Sequence, residues 1–306
     1  MDLLPLPIFP ERALAESVIT TVWIGIFVVC FFNLRLGWPF SGLVVPGYLV
    51  PLMIAKPAAF GVICIEGFLT YLLVRWVCDR FHVAGLWSSF FGRDRFFALI
   101  VGSLLVRLLL DGWLLPLLGE FINRQFQVTF DYRNNLSSFG LIIVALVSNQ
   151  FWKTGFWRGQ IPFWTTNLLT FALVRFVLME YTNFNIGNLE YMYENISSSL
   201  VASPKAYIVL LTCGFVASRM NLLYGWEFNG ILIPSLLAAE WYHPSKILTT
   251  VIESFVILGV GTIALRAPCF ERMTMEGARK LLLFFNVSFL YKLVLGHIQQ
   301  GFITPT

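Results

Sequence analysis

Runs of about twenty apolar residues recur along the chain, and they constrain the fold more than any other feature. Twenty residues of helix are long enough to cross the hydrocarbon core of a bilayer. Charged residues make up 12% of the chain and hydrophobic ones 58%. Soluble domains carry about 25% charged residues, so half the usual solubilising charge is missing. The sequence therefore reads as an all-α, polytopic membrane protein. It has about seven transmembrane helices and two or three short re-entrant or broken apolar segments.

The expected spans run from about Ala15 to Leu36, Pro57 to Cys78, Phe96 to Leu118, Phe163 to Met179, Lys205 to Leu223, Ser245 to Leu265 and Leu281 to His297. A shorter apolar piece, Phe139 to Trp152, lies between the third and fourth. The first residues lack a basic region and are broken by Pro5, Pro7 and Pro10. They do not resemble a cleaved signal peptide, and the first run is expected to stay as a signal anchor.

Two apolar segments depart from the helical template. Gly37 to Pro51 reads GWPFSGLVVPGYLVP, with three prolines and three glycines, and Gly225 to Ala238 reads GWEFNGILIPSLLA. Non-helical backbone in lipid leaves polar groups unpaired, so it survives only where protein buries it or it lines a wet cavity. The expected form is a re-entrant hairpin turning at Pro46-Gly47, with Gly42 ahead of it, and Gly230 and Pro234 as the matching motif. The alternative is an ordinary span kinked by proline.

The two segments belong to a longer repeat. Asn33-Leu34 matches Asn221-Leu222, Pro46 matches Pro234, Pro57 matches Pro244, and Ile65-Glu66-x-Phe68 matches Ile252-Glu253-x-Phe255. Further on, Arg95 falls on Lys280, Ser103 on Ser288 and Arg107 on Lys292. The chain divides into a first copy (1–118), a middle piece with one span and a polar connector (119–204) and a second copy (205–306). About four spans separate equivalent positions, so the copies enter the membrane in the same direction.

The loops after the second and sixth spans then share a face. Both are basic, with Arg80, Arg93 and Arg95 in or beside one and Arg266, Arg272, Arg279 and Lys280 in or beside the other. The positive-inside rule places them in the cytoplasm. The formal charge of +4 is modest and the bases are dispersed, which fits such loops and gives no footprint for a nucleic acid.

Glu66 and Glu253 lie near the centres of equivalent spans, and Arg107 and Lys292 in the equivalent next spans. An ionised group at the bilayer centre costs about 2.5–3.5 kcal/mol on insertion scales, so such groups face protein and find partners. The economical arrangement pairs Glu66 with Arg107 and Glu253 with Lys292. These four are candidates for a polymer or ion pathway; the alternative is a pair of structural ion pairs. Arg75, Asp111, Arg175 and Arg219 sit nearer span ends, where snorkelling accounts for them.

Catalytic signatures are missing: the chain has no GxxxxGK[ST] loop, no HExxH and no GxSxG. The three histidines and five cysteines show no metal-ligand spacing, and the cysteines read as small packing residues. No metal site, no cofactor and no catalytic residue is expected in this chain.

With SGLVVPGYLVP (Ser41 to Pro51), GRDRFFALIVGSLLVRLLLD (Gly92 to Asp111) and FGLIIVALVSNQFWKTG (Phe139 to Gly155) in hand, the chain up to about residue 180 resembles the capsule biosynthesis protein C family, whose members are membrane components of poly-γ-glutamate synthase. Val144 stands where the family carries a proline, and the chain extends into a second copy. The resemblance implies a multi-pass protein of the bacterial cytoplasmic membrane, a non-catalytic subunit in a complex that makes or exports an amide-linked acidic polymer. Its implied partners are an ATP-dependent amide ligase, the other synthase membrane subunits and the anionic polymer. The basic residues Arg93, Arg95, Arg279 and Lys280 would suit docking an acidic partner or guiding a polyanion. The competing reading is a stand-alone secondary transporter or channel built on broken-helix repeats.

Overall fold

In the computed structural model of the chain, the described residues are 5–11, 13–39, 42–83, 93–126, 137–187, 204–224, 232–268 and 274–303. They form helices α1 (Val18–Leu36), α2 (Val45–Ala55), α3 (Pro57–Val83), α4 (Arg93–Leu109), α5 (Leu115–Phe126), α6 (Ser137–Thr154), α7 (Phe156–Leu173), α8 (Met179–Tyr181), α9 (Pro204–Tyr224), α10 (Leu232–Ala239), α11 (Pro244–Leu265) and α12 (Ala278–Ile303). Single π-helical turns, Leu110–Leu114 and Val174–Leu178, join α4 to α5 and α7 to α8. No strand occurs among the described residues; an isolated bridge pairs Leu6 with Thr182.

Among the described residues, six helical stretches are long and apolar enough to cross a membrane: Val18–Leu36, Pro57–Arg80, Arg95–Arg124, Phe156–Tyr181, Pro244–Leu265 and Ala278–Gln300. The chain is an all-α polytopic membrane protein. The remaining expected span is α9, whose described apolar stretch is Tyr207–Ala217. The fourth span begins earlier than the sequence suggests, because α7 starts at Phe156 and runs through Pro162.

The first broken segment is a helix with a turn in front of it, not a hairpin bent at Pro46-Gly47. The turn lies at Gly42, with φ at 68°, and the Val45 amide donates to the Gly42 carbonyl at 2.9 Å. Pro46 then falls in the first turn of α2, where a missing N–H costs nothing because that donor has no helical acceptor. At 1.5 Å per residue, the eleven residues of α2 span about 16 Å, roughly half the hydrocarbon core. In the second broken segment, residues 225–231, and with them Gly230, lie outside the described residues, and Pro234 sits exposed within α10. The shorter apolar piece, Phe139 to Trp152, lies within the unbroken α6, as Val144 in place of proline permits.

The chain divides into two compact units, each discontinuous. One comprises Met1–Ala55, Ile161–Tyr193 and His243–Thr306, the other Lys56–Gln160 and Glu194–Tyr242. The first therefore holds α1 and α2 together with α11 and α12, and the second holds α3 and α4 together with α9 and α10. In terms of the repeat, each unit takes the opening pair of helices from one copy and the closing pair from the other. The packing agrees: α1 contacts α2 and α12, and its counterpart α9 contacts α10 and α4.

In the first unit, α1 is capped at both ends. Ser17 Oγ accepts from the Ile19 amide at 3.2 Å, and Gly37, with φ at 65°, donates its amide to Asn33 O. Lipid tails are as apolar as leucine, so helices in a membrane gain from close contact and shared hydrogen bonds. Here α1 and α2 meet at Gly25 and Gly47, where a Cβ added to Gly47 would run into the Val22 backbone. That approach lets Thr21 Oγ1 donate to the Gly47 carbonyl at 2.8 Å. On α12, Asn286 Oδ1 accepts from Trp23 Nε1 at 2.8 Å, and the Trp23 and Phe289 rings stack with centroids 4.3 Å apart.

The second unit is built around α3, α4 and α6. Val74, Leu99, Ile100, Ile142, Ala145 and Leu210 form its buried core. A second apolar cluster joins Val62 and Val106 to Leu110, which opens the π turn, and Leu115, which follows it.

Candidate functional site

The polar centre of the second unit stands where an apolar membrane helix carries a carboxylate. Glu66, in α3, has no exposed surface, and among the described residues neither of its carboxylate oxygens has a hydrogen-bond partner. One turn further, Thr70 is equally buried, and its Oγ1 also lacks a partner. Beside Glu66, the backbone of Gly67 is pinned to α6: Ser148 Oγ donates to Gly67 O at 2.7 Å. A Cβ on Gly67 would meet Val147 Cγ1 at 2.7 Å, so only glycine admits α6 this closely without a shift.

Arg107, near the end of α4, is 8% exposed, and its Nε donates to Asp111 Oδ2 at 3.0 Å. Asp111 belongs to the π turn, a rare feature that occurs mostly as single turns inside α-helices, frequently at functional sites. The guanidinium carbon also stands 5.9 Å from the centre of the Tyr207 ring on α9. Glu66 and Tyr207 both lie within electrostatic range of Arg107 and Asp111, so two acids, one permanent cation and a phenol share this region. The expected direct pairing of Glu66 with Arg107 is thus corrected. Asp111, four residues along the same helical run, is the nearer and geometrically natural partner.

The equivalent residues of the other copy are arranged differently. Glu253 on α11 and Lys292 on α12 are both half-buried, and among the described residues no ion pair joins them. The sequence pairing is therefore absent there as well. The helix carrying Glu253 is also far less enclosed than α3: 6% of its apolar stretch is buried against 50% for α3.

The basic candidates lie elsewhere. Arg95, in the first turn of α4, is half-buried with its Nε unpartnered, and its guanidinium stands 6.0 Å from the Trp152 ring. Lys153, next to that tryptophan, lies within electrostatic range of Arg95, which makes this end of α4 and α6 cationic. Arg279 is exposed and bonds the Thr274 carbonyl at 3.2 Å, and Lys280 beside it is exposed. Arg93 opens α4, but its side chain lies outside the described residues. Gly42, Pro46 and Gly47 lie in the first unit, in and before α2, and Glu66 and Arg107 in the second.

Sequence reasoning missed Thr70, Tyr207 and Lys153, and set Asp111 aside as a span-end residue. A signal for Asp111 was present: acid and base four residues apart on one helix face each other. Nothing local marks Thr70 or Tyr207, whose roles depend on which helices pack together. Among the described residues no group of three or more His, Cys, Asp or Glu residues could hold a metal ion.

Helices long enough to span lipid, a half-length helix packed through glycine and a buried ionic centre define a multi-pass membrane protein with charge at its interior. The family model for capsule biosynthesis CapC matches residues 24–160 and 213–305, and the chain belongs to this family. It is a membrane component of capsule biosynthesis. No curated protein and no solved structure matches the chain.

Proposed function

We propose that this protein is the non-catalytic membrane subunit of a complex that makes and exports an amide-linked acidic polymer of the poly-γ-glutamate type. It sits in the bacterial cytoplasmic membrane and works with an ATP-dependent amide ligase and further synthase membrane subunits. The observation that carries this reading is the family match, which runs through both sequence copies. The ligase brings the nucleotide chemistry, and this chain contributes the membrane passage and cationic contacts. Among the described residues no carboxylate pairs with Arg95, Arg279, Lys280 or Lys292, so their charge is available to a polyanion. Arg107 contributes less to such contacts, because Asp111 already meets its charge.

Affinity purification from the native membrane tests the reading, together with polymer measurement in a deletion strain. Recovery of an ATP-dependent ligase and loss of polymer support it. A protein that purifies without a ligase, from cells whose polymer level does not depend on it, would overturn it. The buried Glu66 keeps a second reading in view, a stand-alone transporter or channel, since intramembrane acids commonly mark ion pathways. Flux through proteoliposomes containing this protein alone, lost in Glu66→Gln, would decide for that alternative.

A further inference from the structure

We propose that Glu66 and Thr70 form an intramembrane oxygen site for one monovalent cation, a proton or an alkali-metal ion. The proposal does not depend on the polymer reading, since it follows from charge and burial within the second unit.

The two residues lie one turn apart on α3 and so share a helix face. Both are wholly buried, and among the described residues Glu66 Oε1, Glu66 Oε2 and Thr70 Oγ1 all lack hydrogen-bond partners. Buried polar atoms are nearly always satisfied, and three unsatisfied oxygens on one helical turn call for a ligand. A carboxylate without a partner in a low-dielectric interior carries a penalty of several kcal/mol, which a bound positive charge removes.

Among the described residues no cation free of a carboxylate partner supplies that charge. The cation in range is Arg107, and its Nε is held by Asp111 at 3.0 Å, so that pair sums to zero. Tyr207 on α9 brings its ring to 5.9 Å from the Arg107 guanidinium carbon, and a phenol adds no positive charge. On α6, Ser148 lies against the backbone beside Glu66, and its hydroxyl is engaged by the Gly67 carbonyl at 2.7 Å and the Val144 carbonyl at 2.9 Å. One negative charge is therefore left over, and one positive charge balances it. A divalent ion would leave a net positive charge buried beside Arg107. Carboxylate and hydroxyl oxygens are hard donors, suited to a hard cation rather than to a soft metal.

Thermal unfolding of the purified full-length protein in detergent tests the site. Wild type and Glu66→Gln are compared in sodium, potassium and choline chloride at constant pH and ionic strength, and then across pH in choline alone. A ligand bound only by the folded state raises the midpoint with the logarithm of its concentration. A rise with sodium or potassium over choline that disappears in Glu66→Gln identifies an alkali-metal ion. A pH response present in wild type and lost in Glu66→Gln, with no alkali effect, identifies a proton. If both proteins respond identically to salt and pH, the proposal is overturned. Should Glu66→Gln fail to fold, Thr70→Val serves. It removes one oxygen with little change in volume and should shift the cation or pH response about tenfold in concentration. An unshifted response in that variant overturns the proposal equally.

Discussion

Arg107 and Asp111 form an ion pair at 3.0 Å across the junction between an α-helix and a π turn, with the arginine side chain 9% exposed and the aspartate 39%. The arginine is thus paired along its own helix, while the carboxylate on the neighbouring helix, Glu66, is left to other chemistry. Most of what can be tested about this unit follows from that choice of partner.

Asp111→Asn should leave a largely buried guanidinium without its counter-charge. Breaking a fully buried pair costs about 3–5 kcal/mol and an exposed one about 0.2–1, so the partial exposure of Asp111 places this loss at about 1–3 kcal/mol. Thermal unfolding in detergent measures it. The double variant Arg107→Met with Asp111→Leu should recover most of the loss, giving a coupling energy well above zero in a double-mutant cycle.

Gly47→Ala should separate α1 from α2, because the added methyl meets the Val22 backbone, which cannot rotate away. Overpacking of this kind costs about 1–3 kcal/mol, and here it also lengthens the Thr21 hydrogen bond. Gly61→Ala in α3, with nothing within 4 Å of its added Cβ, should be neutral or stabilising by up to about 1 kcal/mol. Equal effects at the two positions in a detergent unfolding series would show that the α1–α2 contact is not tight.

Gly67→Ala should be destabilising for a different reason and should be rescuable. Its methyl meets the end of the Val147 side chain, so Val147→Ala in the same chain should restore stability to within about 1 kcal/mol of the Val147→Ala single variant. Ser148→Ala removes a donor to the Gly67 carbonyl and should cost about 1 kcal/mol alone.

Arg95→Gln bears on the proposed function. The guanidinium lies against Trp152 and has no carboxylate partner among the described residues, so its removal should disturb packing little. If the cationic end of α4 contacts a polyanion, polymer yield per cell should fall several-fold while the amount of protein in the membrane stays the same. Arg95→Lys should retain part of the yield through its charge. Unchanged polymer in Arg95→Gln would remove this residue from the pathway.

Much of the architecture was legible because lipid imposes it. A run such as Val18 to Leu36, closed by Gly37, has few alternatives to a capped helix. What the residues did not reveal depends on context. Pro46 and Gly47 looked like a bend; in the first turn of α2 the proline is tolerated, and the glycine serves contact with Val22. The fourth span was expected to start at about Phe163, after Pro162, yet α7 runs through that proline from Phe156. Glu66 stood out as a charge within an apolar run, but its complete enclosure depends on α6 packing across Gly67, and no local pattern encodes that contact. The repeat itself pointed the wrong way for the ion pairs, because it drew attention to matching residues on neighbouring spans rather than to Asp111 on the same one.

The crossing of the two sequence copies between units bears on how the protein is made. Trp23 finds its hydrogen-bond partner Asn286 263 residues later. At about 5–20 residues per second, a ribosome needs roughly 13–50 s to reach that partner. Through that interval α1 and α2 wait in the membrane without the last helix of their unit, so the nascent chain depends on lipid or the insertion machinery to shield the Trp23 face. Neither copy, made alone, contains a complete unit, and the order of synthesis makes the final helix the one that closes the first.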